Sequence, residues 1–374
     1  PAAMILGLLP AIRGGLGELA KTGQHSRLLD GYLRPYTRAF DEVRYFSYLR
    51  ESLDAYTDDP ALRAHVRLFP GGDWHPWAYS LAMPLRYRDE FRRCAVFRVF
   101  QITGAMPAVI ARRRFGIPFV TTYGFWYGRL AGSHTSGVLR RVVETLGLRA
   151  ADAVIVTTPE LGAHVAGRVG AAKVHLIPNG VNTALFAPAP RPPRARKHVL
   201  YVGRLSAEKN LGALLEAAAA LAGRFDLRLT LIGDGPARAA LEAEARRLGA
   251  RVEFVPVVEH RRIPGYLADA DAFVLPSLTE GHPKALLEAM SAGVACVASD
   301  VGGNRAVLEH ERTGLLFDLG ADAALAEALA RGLGDPGLAR ALGERARARA
   351  VERYDLGRLV GEEIELLKRL ARVG

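Results

Sequence analysis

The constraint that narrows the fold most is a rhythm. Short apolar runs, each followed by a stretch of helical periodicity, recur along nearly the whole chain. In the second half the runs are His198–Gly203, Leu227–Ile232, Arg251–Val255, Ala272–Leu275 and Ala295–Ala298, with helical stretches such as Asn210–Leu221 and Pro236–Leu248 between them. An apolar run without polar alternation suits a strand covered on both faces, the condition of a parallel sheet between helices. Repeated at this pitch, it predicts doubly wound α/β sheets. The first half keeps the same beat, with strands expected at 4–9, Val43–Tyr48, Val66–Phe69, Ala95–Ile102, Pro118–Tyr123, Asp152–Thr157 and Lys173–Pro178. Helices are expected at Ser26–Phe40, kinked at Pro35, and at Trp77–Arg93.

A chain of 374 residues is long for one core and comfortable for two. Ala187–Arg196 holds four prolines in ten residues, which excludes sheet and helix interiors and favours an extended spacer. The expected organisation is a first domain over 1–186, a linker over 187–197 and a second domain over 198–353.

Within the second domain, Pro276–Gly293 carries the most chemistry. The strand Ala272–Leu275 leads through Glu280-Gly281-His282 into a helix expected to begin at Pro283. Proline suits a first helical position because its missing N–H would be unpaired there. A strand, a tight glycine loop and a free helix start make a phosphate site. Glu280 and Glu288 flank it. On one helix, eight residues would turn them about 80° apart; with Glu280 in the loop, both can edge one elongated ligand. Carboxylates repel phosphate, so they suit neutral diols on either side of it, as in a nucleoside-diphosphate sugar. Taken singly, each glutamate reads as a cap or a solvated side chain; the whole stretch favours the ligand reading.

The pattern E-G-x-P-x-x-L-L-E-A-M-x-x-G from Glu280 to Gly293 resembles the E-x7-E signature of retaining glycosyltransferases of family 4. That resemblance implies the GT-B fold: α/β, two doubly wound Rossmann-like domains facing a central cleft, with a last helix, about 354–374, returning to the first domain. It implies a hexosyl transfer with retention from a UDP- or GDP-linked sugar to a hydroxyl acceptor, such as a glycolipid, a polysaccharide precursor or a small molecule. It places Glu280 on the donor sugar, Glu288 on the ribose, and the backbone of Gly281, His282, Pro283, Lys284 and Ala285 on the phosphates.

Val202-Gly203-Arg204-Leu205-Ser206-Ala207-Glu208-Lys209-Asn210 resembles the family's G-R-L-x-x-x-K-N segment, in which Arg and Lys grip the diphosphate. The physics agrees: a leaving diphosphate gains charge, and a guanidinium with an ammonium can stabilise it without a metal. Gly15, in Gly15-x-Gly17-x-x-Ala20, resembles the family's glycine loop near the donor phosphates. The dinucleotide reading of that loop is disfavoured, since no acid closes the second strand before Glu51. Tyr123 stands in Thr121-Thr122-Tyr123-Gly124, where relatives often carry histidine; a phenol is a poor base at neutral pH. Tyr123 and the loop residue His134 are the acceptor-side candidates. Ile177-Pro178-Asn179-Gly180-Val181-Asn182 resembles the P-N-G-V-D that closes the family's first domain, with a turn as the default role. Gly302-Gly303-Asn304 reads as a turn.

Charge and cysteine content narrow the partners. The net charge is +11, and residues 1–190 hold 23 Lys and Arg against 14 Asp and Glu. A basic first half suits an acidic acceptor or peripheral contact with an anionic membrane; nucleic acid is not expected, because no basic–aromatic interleaving occurs. No His cluster suggests a metal, and no metal or cofactor is expected beyond the nucleotide-sugar co-substrate. Cys94 and Cys296 lie in separate halves, which fits a reducing cytoplasm. Pro1–Leu9 lacks a basic leader and reads as a strand rather than a signal peptide. Three rivals share these residues: a glycoside hydrolase, a nucleotide-sugar epimerase of the same fold, and a non-catalytic nucleotide-sugar-binding protein.

Overall fold

The apolar runs pair edge to edge as parallel strands. In the computed structural model, which describes residues 3–125, 134–190, 195–321 and 323–373 (without the side chains of 134–139 and 373), they form two sheets. The first holds β1 (Ile5–Leu9), β2 (Glu42–Phe46), β3 (Val66–Phe69), β4 (Val96–Val99), β5 (Phe119–Tyr123), β6 (Ala153–Val156) and β7 (Val174–Leu176), in the order β3-β2-β1-β4-β5-β6-β7. The second holds β8 (Lys197–Val202), β9 (Leu227–Ile232), β10 (Val252–Val255), β11 (Ala272–Leu275), β12 (Ala295–Ser299) and β13 (Leu315–Phe317), in the order β10-β9-β8-β11-β12-β13. Every pairing between these strands is parallel. The central strands β1, β11 and β12 are buried along their whole length, as continuous apolar runs require. Each order reverses at its first strand, so β1 and β4, like β8 and β11, splay their C-terminal loops apart where such sheets take ligands.

The chain divides into two compact units, Pro1–Pro178 with Gly357–Gly374, and Asn179–Leu356. The division therefore falls ahead of the proline-rich stretch on which the sequence reading centred it; residues 191–194 of that stretch lie outside the described residues. Backbone pairing is the reason. Val181 donates to Tyr354 O (2.8 Å) and accepts from Leu356 N (2.9 Å), which ties 179–186 to the second unit. Gly180 is required there, since a Cβ would lie 2.8 Å from Leu356 Cα.

Two helix expectations change. Ser26–Ala39 is helical, with a wide helical turn at Leu29–Leu33 just before Pro35. Such a turn accommodates the missing proline N–H. Trp77–Arg93 is two helices, Pro76–Arg86 and Arg88–Arg92, broken at Tyr87.

The last helix, Leu356–Val373, packs into the first unit through a buried carboxylate. Glu363 accepts from Arg98 Nε (2.7 Å) and Nη2 (3.1 Å), and the Tyr36 hydroxyl also donates to it. Arg98 further donates to Thr122 Oγ1 (2.8 Å). A buried charge pair of this kind positions the helix, because removing either partner strands the other's charge. No helix among the described residues is long and apolar enough to cross a membrane.

Candidate active site

The second unit gathers its candidate residues where β8 and β11 end. β8 runs into Gly203-Arg204-Leu205, and the neighbouring loop Gly233-Asp234-Gly235 after β9 packs against it. Leu205 donates to Asp234 O (2.9 Å) and accepts from Ala237 N (2.9 Å). The glycines are dictated by this crossing: a Cβ at Gly233, whose φ is +139°, would lie 2.0 Å from Gly203 O, and one at Gly235 would lie 2.3 Å from Leu205 O. Tyr201 sets the loop from beneath, its hydroxyl donating to Arg204 O (2.8 Å). Burial, reinforced by the Glu280 and Glu208 carboxylates, raises that phenol's pKa and keeps it a donor. Arg204 projects into solvent and makes no ion pair among the described residues.

A single turn, Ala207–Lys209, follows, and Asn210 takes a left-handed conformation (φ +52°) to start the helix Leu211–Leu221. Asparagine is among the few side chains that adopt this conformation readily. The turn delivers Lys209 to the Glu280 loop: its Nζ lies 2.6 Å from Glu280 Oε1. A backbone bond from Leu278 N to Glu208 O (2.9 Å) joins the two loops. The Ser206 hydroxyl donates to Glu208 (2.6 Å) and, with Lys209 and Arg204 beyond, holds its carboxyl below the usual range.

Glu280 is fixed by a framework that the motif itself does not contain. Ser277 Oγ donates to Glu280 Oε1 (2.7 Å), Ser299 Oγ to Ser277 O (2.5 Å), and Asn304 Nδ2 to Ser299 O (2.9 Å). All three polar side chains are buried. Gly302-Gly303-Asn304, expected as a turn, opens the short helix Gly302–Val307, whose Gly303 lies under the loop; a Cβ there would meet Glu280 O at 2.4 Å and Gly281 O at 2.7 Å. From the far side, Asn179 Nδ2 donates to His282 O (2.8 Å). The P-N-G turn is thus a brace for the Glu280 loop.

The helix after the loop is Lys284–Ser291, with Pro283 one residue earlier than expected, at the N-cap (ψ 111°). Proline has no side-chain acceptor to give, and the Ala285 and Leu286 amides donate to no side chain among the described residues. Lys284 is exposed and Ala285 half-buried at this uncapped start. His282 is buried with Nδ1 unpartnered; burial, aided by Lys284, lowers its pKa to about 3, so the ring is neutral. Glu288 is buried one helical turn further in, its Oε1 2.8 Å from His260 Nε2. The His260 ring in turn lies 5.1 Å from that of Phe186.

The first unit treats its candidates differently. Gly15 is in extended backbone (φ −177°), and a Cβ there would meet Glu51 Oε1 and Ser47 Oγ, both at 2.6 Å. Glu51 accepts from Leu16 N (2.9 Å) and Gly17 N (2.8 Å), so the amides expected to face a phosphate already hold a carboxylate. Tyr123 is wholly buried, its hydroxyl 3.4 Å from Glu144, which is itself ion-paired with Arg168. Interior packing therefore takes the phenol that the sequence reading put on the acceptor side. His134 begins the helix His134–Ala150, but its side chain lies outside the described residues. Among the described residues, no group of three or more His, Cys, Asp or Glu is placed to hold a metal ion.

Two family models match the chain. Residues 26–180 fit the family model described as glycosyl transferase 4-like domain, and residues 186–349 the one described as glycosyl transferases group 1. The chain joins these two glycosyltransferase domains. The group 1 domain contains every residue of the Arg204–Lys209 and Glu280–Glu288 segments. Among curated relatives, the alpha-D-kanosaminyltransferase of Streptomyces kanamyceticus is 37% identical over 164 residues, 43% of this chain and 42% of that protein. The glycogen synthase of Mycobacterium tuberculosis is 31% identical over 263 residues, 67% and 63% respectively. The match thus spans less than two thirds of either relative's own length. Among solved structures, sucrose-phosphate synthase from Thermosynechococcus elongatus aligns with TM-score 0.83 at 24% identity, covering 99% of this chain and all of that one. Anabaena HepE in complex with UDP-glucose aligns with TM-score 0.78 at 21% identity, covering 98% of this chain and all of that one. At these identities the likeness shows the fold, the GT-B arrangement of two Rossmann-like domains.

Proposed function

We propose that this protein is a retaining glycosyltransferase that moves a hexosyl group from a nucleoside-diphosphate sugar to a hydroxyl acceptor. The observation that carries the reading is the joining of the Arg204–Lys209 loop to the Glu280 loop, beside an uncapped helix start. Two cations and free amides suit a diphosphate, while carboxylates suit the hydroxylated rings on either side. The solved complex of HepE with UDP-glucose and the transferase relatives support a nucleotide-sugar donor, with uridine as the first base to test.

In this reading Glu280 accepts hydroxyls of the donor sugar and Glu288 orders the ribose side, steadied by His260. Arg204 and Lys209 take up the charge that grows on the diphosphate as its bond to the anomeric carbon breaks. The acceptor oxygen bonds to that carbon on the same face, and its proton passes to the departing phosphate oxygen. Retention rests on the family resemblance. Because the protein's own cations meet the leaving group, transfer is expected to persist in chelator.

Thermal shifts with UDP-, GDP- and ADP-sugars, followed by NMR of the product's anomeric proton, test the proposal. A shift with one donor that Arg204→Ala and Lys209→Ala abolish, and a product of the donor's own anomeric configuration, are the expected results. Equal shifts in wild type and both variants would remove the site assignment, and an inverted product would remove retention.

A further inference from the structure

We infer that the helix Pro76–Arg86 in the first unit is a docking surface for an anionic lipid bilayer. Its inner face is ordinary core: Tyr79, Ser80 and Met83 are buried, with Tyr79 edge-on to Tyr48. Its outer face is not ordinary surface. Ala78, Leu81 and Leu85 follow one another at intervals of three and four, which puts them on one stripe of the helix, and Trp74 stands two residues before its start. Trp74 is 52% exposed, Leu81 52% and Leu85 55%. Eight large apolar side chains are exposed among the described residues; three belong to this helix and the residues just before it, while the other five are scattered singly over separate elements. Lone exposed apolar residues are normal on a surface, but a contiguous row marks a binding site.

The charges around the stripe decide what it binds. Arg86, Arg88, Arg92 and Arg93 are all exposed at its C-terminal end and in the short helix that follows. Arg86 and Trp74 are neighbours, since both side chains come within 4 Å of the Cβ position at Gly72. Of the nearby acids, Asp73 is ion-paired with Arg50 (2.5 Å) and Glu90 with Arg44 (2.7 Å), which leaves Asp89 against four arginines. A second copy of the chain would bring like charges together across a twofold contact, which disfavours dimerisation through this face. A bilayer with anionic headgroups satisfies both features. Leucines and a tryptophan enter the interfacial layer while arginines reach the phosphates. The surface stands apart from the donor-site reading, because its test reads lipid binding and not transfer.

The test is co-sedimentation of the full chain with vesicles of phosphatidylcholine containing phosphatidylglycerol, against pure phosphatidylcholine. Binding to the anionic vesicles, weakened by high salt and accompanied by a blue shift of tryptophan fluorescence that Trp74→Phe removes, is the expected result. Leu81→Glu with Leu85→Glu, and separately Arg88→Glu with Arg92→Glu, are expected to lower partitioning by about tenfold or more, given the weight of each insertion and each cation at such a surface. All four positions are exposed, so an unchanged melting temperature verifies the fold of each variant. The inference is overturned if wild type stays in the supernatant with both vesicle types. It is equally overturned if the glutamate variants bind as wild type does, or if the protein dimerises in solution through a contact that the leucine variants abolish.

Discussion

Both units place a glycine loop between a strand and a helix, after β1 in the first and after β11 in the second, yet only one keeps its helix start open. At Gly15 the first amides of the following helix are taken by Glu51, whose carboxylate also accepts from Ser47 (2.5 Å). At Glu280 the carboxylate is turned instead toward Lys209 and Ser277, and the amides of Ala285 and Leu286 meet no side chain among the described residues. The difference teaches that a strand–glycine–helix pattern announces the shape of an anion site but not its availability. Availability depends on whether a carboxylate from elsewhere in the fold reaches the amides first.

This contrast can be broken at several points. The largest effect is expected from Arg204→Ala, with a loss of about 10²–10³-fold in kcat/KM for transfer from the preferred donor. Its melting temperature should hold, because the side chain is exposed; full activity would end the reading of this loop as the diphosphate grip. Gly303→Ala comes next. The added Cβ pushes on Glu280 O, and a displacement near 1 Å is expected to cost about 10²-fold in rate. Donor titration separates this from simple unfolding.

His282→Gln probes the loop through pH. Because the folded-state pKa is lowered to about 3 while the unfolded imidazole titrates near 6.5, the unfolded chain takes up the proton first on acidification. Stability is therefore flat above neutrality and falls between about pH 7 and pH 3, by about 2 kcal/mol from pH 7 to pH 5 for this group alone. Urea denaturation across that range should show the slope in wild type and its reduction in the variant. The smallest effect is expected from Glu51→Ala, with about 1–2 kcal/mol of stability lost with the cap and the donor-induced thermal shift retained. A donor shift that vanished in this variant would make the two loops functionally alike.

Much of this was legible in the chain itself. Apolar runs without alternation gave the parallel sheets, and E-G-x-P-x-x-L-L-E marked a loop that Lys209, Ser277 and Asn179 hold in place. What escaped was the bracing. Ser299, Asn304 and Asn179 lie 19, 24 and 101 positions from Glu280 in the sequence shown, and nothing around the first two announces that they brace it. His260 sits in a His-Arg-Arg turn that reads as surface, yet it is buried against Glu288. For Asn179 a signal existed, the Pro178-Asn179-Gly180 turn, but a turn does not say what it supports. At Tyr123 the place at a strand end suggested a ligand, and the fold buries the ring with its hydroxyl 3.4 Å from Glu144 of the helix His134–Ala150.

The sequence alone determined where most strands and the longer helices form, because periodicity and chain stiffness are local properties that a handful of neighbouring residues can express. It also named the cations and carboxylates of the candidate site, since their spacing is tied to one strand end and one helix start. Only the tertiary structure decided which group each carboxylate meets: Glu51 the amides of the Gly15 loop, Glu280 the Lys209 ammonium, Glu363 the Arg98 guanidinium. Hydrogen bonds and ion pairs act over about 3 Å, and residues far apart in the chain come within that reach only once the sheets have closed.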